Sequence, residues 1–206
     1  MKTKISIYLA SASPRRRQLL AQAGLKFKII KPAVKEIQGG EEKPSDFVLR
    51  LSKEKALAGL NKIKSKTPLL LIAADTIVVS KQDGLVLGKP KTKRDAARML
   101  RKIQGKQHTV YTGYTILFAS GGIVKKIVSN TVRTDVTIRT LNSIQIKRYL
   151  FAGESYDKAG AYAAQGVGAA LIKELRGSYS NVVGLPLCEV LTDLDHFFGV
   201  PYLKKY

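Results

Sequence analysis

The sequence predicts an α/β fold built on a mixed β-sheet. Three observations carry that expectation. Strand-like segments interleave with segments of helical spacing, without a strict repeat. The run PLLLIAADTIVVS (Pro68–Ser80) is continuously apolar and rich in branched residues, the pattern of a strand buried on both faces in a parallel or mixed sheet. Glycines, prolines and small polar residues sit between the segments where turns and helix ends need them.

Taken in order, Ile5–Ala10 alternates and reads as the first strand, not as the apolar centre of a signal peptide. Ser11–Ser13 is a loop, Pro14 suits a first helical turn with Ser13 as its cap, and Gly24 ends that helix. Phe27–Ile30 is a second strand. A polar loop through Glu36, Gly39 and Gly40 follows, and Ser45 is expected to cap a helix from Asp46 to about Asn61. After Pro68–Ser80, Asp83-Gly84 marks a turn and LVLGKP returns from it. Thr92–Gln104 reads as a helix closed by Gly105. Val110–Ala119 and Ile123–Arg139 are long strands joined at Ser120-Gly121-Gly122. Asn142 caps a helix to Ala152, Gly153–Gly168 is irregular, Ala169–Ile172 is a short strand, and Leu185–Phe198 is the last helix.

The 206 residues read as one domain, 1–206, large enough for a substantial core. No run approaches the roughly 20 apolar residues that span a bilayer. A single cysteine, Cys188, permits no internal disulfide, in keeping with a cytoplasmic location, and its apolar helical context places it in the core. Thirty-six Lys+Arg against 15 Asp+Glu give a net charge of +21, which raises the local concentration of polyanions. These charges are spread as singles and pairs (Lys53/Lys55, Lys125/Lys126, Lys204/Lys205) and read first as a solvated surface. A non-catalytic binder of polyanions or nucleic acid is therefore the rival reading. No zinc-finger, RNP or helix-turn-helix pattern supports it, so nucleic-acid binding is not expected as the main function.

Charge placement then points to chemistry. SASPRRRQ puts arginines at a helix start, where cations are unfavourable by roughly 0.3–1 kcal/mol each unless an anion sits in front. Ser11 and Ser13 can donate to a phosphate, and Arg15 and Arg16 can bind one bidentately. Asp75 lies in an otherwise apolar strand and needs a cation, a metal or hydrogen bonds. A carboxylate so placed is suited to activating water. Lys89 follows a return strand, and Lys55 lies on a helix. Glu36 can supply a second carboxylate for magnesium. Glu154, Asp157, Lys158 and Gln165 share a glycine-rich loop, where Gln165 can read a base edge through its paired donor and acceptor. No GxxxxGK[ST], HExxH or GxSxG pattern occurs. The set suits attack on a phosphoanhydride.

The ordered stretches LASASPRRRQLL, RLSKEKA, AADTIVV, LGKP, Met99–Gly113, DKAGAYAAQG and GSYSNVVGLPLCE resemble the Maf family of nucleoside triphosphate pyrophosphatases. The resemblance runs from the first strand almost to the last helix. It implies a two-lobed fold with an elongated mixed β-sheet flanked by helices and a central cleft (Maf / inosine triphosphatase-like), a homodimer, and Mg²⁺ or Mn²⁺ as cofactor. It implies hydrolysis of a nucleoside triphosphate to the monophosphate and pyrophosphate, with Asp75 as proton acceptor. Ser11, Arg16, Lys55 and Lys89 match its phosphate-binding positions, and Glu36 with Asp75 its metal position. Arg15, Thr76 and Gln165 match the branch acting on dTTP and UTP, with modified pyrimidine triphosphates as further candidates. A family member of another nucleotide preference is the nearer alternative. The chain departs from the branch's usual AYGIQG at Ala163 and Ala164, next to the base pocket that the resemblance implies.

Overall fold

The structure is a computed structural model and describes residues 5–201; the charged start MKTK and the pair Lys204/Lys205 lie outside the described residues. In chain order the elements are β1 (Ser6–Ala10), α1 (Pro14–Gln22), β2 (Lys28–Ile30), α2 (Pro44–Leu60), β3 (Leu69–Ser80), β4 (Val86–Leu87), α3 (Lys93–Ile103), β5 (Gln107–Ser120) and β6 (Ile123–Ile138). They are followed by α4 (Ser143–Phe151), two 3₁₀ turns (Ala159–Ala161 and Gly166–Leu171), β7 (Ile172–Arg176), α5 (Tyr179–Val183) and α6 (Leu187–Phe198). The strands form one mixed sheet in the order β2-β1-β3-β5-β6-β7, with β4 paired to β3. The α/β class and the mixed sheet are as the sequence predicts. The chain divides into two compact units.

The first unit comprises Met1–Asp75, Thr112–Thr131 and Gly184–Tyr206. Here β1 lies between two parallel partners, pairing Tyr8–Ala10 with Lys28–Ile30 on one side and Ser6–Ala10 with Leu69–Ala73 on the other. Both connections are helices, as parallel pairing requires. The buried positions of α2 fall at 47/48, 51/52, 55/56 and 59/60, one continuous face. Gly59 brings that face close to the sheet: a Cβ there would lie 3.0 Å from Ala10 Cβ and 3.1 Å from Leu71 Cδ1. Ala10, Ala56, Leu60, Leu69, Leu71 and Ala73 form the core between them.

The second unit comprises Thr76–Tyr111 and Val132–Val183. Its core gathers Val78, Leu100, Ile103, Val136, Ile138, Ile146 and Tyr162, packed from α3, α4 and the strands. Thr92 caps α3 by accepting from the Asp95 N–H, and Asn142 and Gln145 form a capping box at α4. His108 is 1% exposed; its Nε2 lies 2.8 Å from the Tyr162 hydroxyl. The Nδ1 of that ring is buried and has no hydrogen-bond partner among the described residues.

Four sequence expectations are corrected. Ser13 stands at the N-cap of α1 but its side chain accepts no capping bond; instead its own N–H donates to Ser11 Oγ at 3.1 Å. The second helix starts at Pro44, with Lys43 at its N-cap, so Ser45 lies inside it and its hydroxyl donates to Asp46. Proline's fixed φ suits the first helical position and moves the start forward. Ala169–Leu171 belongs to a 3₁₀ turn, and the strand begins at Ile172 and runs through charged residues to Arg176. Cys188 is exposed, because it lies off the stripe formed by Val190, Leu191 and Leu194 on α6.

Candidate active site

The strand order β2-β1-β3 reverses direction around β1, and in open α/β sheets ligands gather beyond the carboxyl ends of strands at such a reversal. Ala10 ends β1 opposite Ala73. Ser11 then leaves β1, and two residues past the Ala10–Ala73 register lies Asp75. The backbone alone therefore carries the serine loop and the strand carboxylate to the same end of the first unit.

Asp75 is 6% and Lys55 8% exposed. Lys55 Nζ donates to Asp75 Oδ1 at 2.5 Å and to Glu36 Oε1 at 2.6 Å. Lys55 is the charged break in the apolar face of α2, and one turn later Gly59 fixes how near that face comes to the sheet. An ammonium with its stem buried in this way is retained by the carboxylates it meets. One cation thus joins a strand carboxylate and a loop carboxylate.

Arg16, in the first turns of α1, donates from Nε to the Gly184 carbonyl at 2.6 Å and from Nη1 to Ser11 Oγ at 3.5 Å. Burial lowers its pKa, and Asp75 and Glu36 act in the opposite direction while Arg15 adds to the lowering. A guanidinium stays charged throughout. Ser11, Arg16, Lys55, Glu36 and Asp75 are thereby brought together. Arg15 is half-buried on the same turn, whereas Arg17 is exposed.

Glu36 sits on the loop between β2 and α2, and that loop is fastened by a residue the sequence reading did not single out. Arg50 forks onto Glu42 with two 2.7 Å bonds, reaches Glu54 at 2.8 Å, and donates to the Ile37 carbonyl at 3.0 Å. The carbonyl it holds belongs to the residue after Glu36. Only the Arg50–Glu54 spacing of four was available as a sequence signal. Gly184, whose carbonyl orients Arg16, was likewise missed, since a backbone acceptor leaves no side-chain signature.

The remaining expected site residues lie in the second unit. Thr76 follows Asp75 in β3 and points to the opposite face of the sheet. Lys89 is exposed in the segment after β4. Its neighbour Gly88 accepts a hydrogen bond from the Gly160 N–H at 3.1 Å, which ties the Lys89 turn to the loop leading to Gln165. Gln165 is half-buried at the N-cap of the second 3₁₀ turn, and its side chain makes no capping bond. Glu154 takes that place, accepting from the Val167 and Gly168 N–H groups at 3.0 Å each. Asp157 and Lys158, the other charged residues of that loop, pair with each other at 2.6 Å.

The site sets two cationic side chains, Lys55 and Arg16, beside the carboxylates of Asp75 and Glu36. Two hard oxygen donors on Glu36 and Asp75 face one ammonium, and such donors suit a divalent cation that shares its coordination with phosphate oxygens and water. Among the described residues no helix is long and apolar enough to cross a membrane.

Comparisons with known proteins show the family. The family model described as "Maf-like protein" matches residues 6–197. The chain is 45% identical over 199 residues to a protein of Thermoanaerobacter sp. (strain X514), covering 97% of this chain and 100% of that one. It is 46% identical over 189 residues to one from Geobacter metallireducens, covering 91% and 94%. It is 43% identical over 192 residues to one from Escherichia coli O157:H7, covering 93% of each. All three relatives carry the name dTTP/UTP pyrophosphatase. The chain belongs to the Maf family.

Proposed function

We propose that this protein is a nucleoside triphosphate pyrophosphatase that hydrolyses dTTP and UTP to the monophosphate and pyrophosphate. The observation that carries the reading is Lys55 bridging Asp75 and Glu36, beside Arg16 and Ser11. The names of the relatives support the same substrate class.

In this mechanism the triphosphate lies over the start of α1. Ser11, Arg16 and Lys55 take up its negative charge, with Lys89 as a further phosphate ligand. Asp75 Oδ1 is held by Lys55, which leaves Oδ2 to accept the proton of the attacking water. The water oxygen bonds to the α-phosphorus, the bond from that phosphorus to the bridging oxygen breaks, and pyrophosphate departs with the electron pair. Catalysis here is mostly positioning and charge stabilisation. A Mg²⁺ or Mn²⁺ ion held by Glu36 and Asp75 would neutralise phosphate charge when bound. Arg15, Thr76 and Gln165 are proposed to select the pyrimidine base. The protein is further proposed to work as a single pyrophosphatase domain, in the cytoplasm and as a homodimer.

Pyrophosphate release measured across dTTP, UTP, CTP, GTP and methylated nucleotides tests the reading. Preference for dTTP and UTP supports it. Salt-steep nucleic-acid binding with no hydrolysis of any nucleotide would favour the polyanion-binding alternative.

A further inference from the structure

The residue at a helix N-cap ordinarily spends its side chain on the N–H groups of the first turn. Gln165 occupies that place at the 3₁₀ turn Gly166–Leu171 and does not do so. Glu154, eleven residues earlier, supplies the acceptors instead: Oε1 takes the Val167 N–H and Oε2 the Gly168 N–H, each at 3.0 Å. Gly166 is shaped to this arrangement. Its φ of +61° is in the left-handed region, and a Cβ there would overlap Glu154 Oε1. No side-chain partner of the Gln165 amide occurs among the described residues.

The loop on the other side of Gln165 is equally restrained. Ala161 holds a φ of +61° although it is not glycine, a conformation that survives only where its surroundings impose it. Tyr162 is fixed by His108, and the Ala163 N–H donates to the buried Tyr149 hydroxyl at 2.9 Å. The chain thus enters Gln165 from a pinned segment and leaves it into a turn capped by another residue.

We infer that Glu154 is a positioning residue for nucleotide selection, which caps the turn in place of Gln165 and so keeps the Gln165 amide free and oriented for a pyrimidine base edge. The inference rests on the proposed pyrophosphatase function. An amide presents one donor and one acceptor side by side, which matches the N3–H and carbonyl of uracil or thymine. Without Glu154 the Gln165 side chain turns back to satisfy the Val167 or Gly168 N–H, and the base loses its reader.

The test is a double-mutant cycle on selectivity, using Glu154→Ala, Gln165→Ala and the double variant, with kcat/KM measured for UTP and for GTP. The expected result is a UTP:GTP ratio lowered about tenfold by either single change, the scale of one hydrogen bond. The double variant is expected to show no further loss, because Glu154 acts through Gln165. Glu154→Gln, which keeps one acceptor oxygen, is expected to fall between, and it serves should the alanine variant fail to fold. An unchanged ratio in both Glu154 variants, or additive losses in the double variant, overturns this inference alone when Gln165→Ala does alter the ratio. An inactive wild-type enzyme, or an unaltered ratio in Gln165→Ala, overturns it together with the reading of Gln165.

Discussion

Lys55 donates to Asp75 across 2.5 Å, with only 11% and 8% of the two side chains left to solvent. The pair sits where α2 presses on β3. Glu36, whose side chain is half-exposed, completes the contact from the loop side. Lys55 keeps two carboxylates side by side, and holding phosphate is the second task proposed for it.

Lys55→Met should therefore cost both activity and stability. Removing the ammonium leaves Asp75 buried with Arg16 as its remaining compensating cation, and breaking a buried pair costs roughly 3 kcal/mol. Urea unfolding should report a destabilisation of that order, and turnover should fall by at least about a hundredfold. Unchanged stability would mean that water, not Lys55, satisfies Asp75.

Arg16→Lys keeps the charge but not the fork. A lysine cannot hold the Gly184 carbonyl and Ser11 while also facing a phosphate, so kcat/KM should drop about tenfold or more. Steady-state kinetics with UTP would show it. Wild-type kinetics in the variant would place the phosphate elsewhere.

Gly113→Ala probes the close approach of β5 to α2. A Cβ on Gly113 would penetrate the Val48 carbonyl and the Leu49 nitrogen, both backbone atoms of a helix. No rotamer relieves that overlap, so destabilisation of about 3 kcal/mol is expected. Thermal unfolding of the variant is the check.

Much of this was legible in the sequence, and the reasons differ by element. Asp75 stood out because a carboxylate inside Leu69–Val79 has no innocent place to go. Lys55 looked like surface by residue type, although its register with Leu51 and Gly59 puts it on the apolar face of α2. The strand at Ile172–Arg176 was hidden by its charges: it pairs with β6 through backbone bonds, and Lys173, Glu174 and Arg176 are exposed. The Arg50–Glu42 clamp and the Glu154 cap join residues eight and thirteen or more apart across loops, where no periodicity signals contact.

His108 gives a pH dependence with a definite sign. Burial pulls its pKa from 6.5 down to about 4, opposed by Asp135. In the unfolded chain the ring takes a proton near pH 6.5, whereas in the fold it does so only near 4. The unfolded state thus binds more protons in that window, and stability is lost as pH falls from 6.5 towards 4, by up to about 3 kcal/mol. Carboxylates add their own losses at the acid end, so the comparison is with His108→Phe. That variant should be less stable at pH 7, because the Tyr162 hydroxyl loses its partner, yet flatter between pH 6.5 and 4. Parallel urea-stability profiles in the two proteins would contradict the assignment.

Asp75 is proposed to activate water in a site assembled by Lys55, Glu36, Arg16 and Ser11. Asp75→Asn preserves the Oδ1 acceptor and the side-chain volume while removing the base. The deciding measurement is pyrophosphate release from UTP and dTTP by the wild-type protein and by this variant, with matched unfolding curves. Release by the wild type and loss of turnover in a folded Asp75→Asn are expected. Near-normal release by the variant, or none from any triphosphate by the wild type, would contradict it.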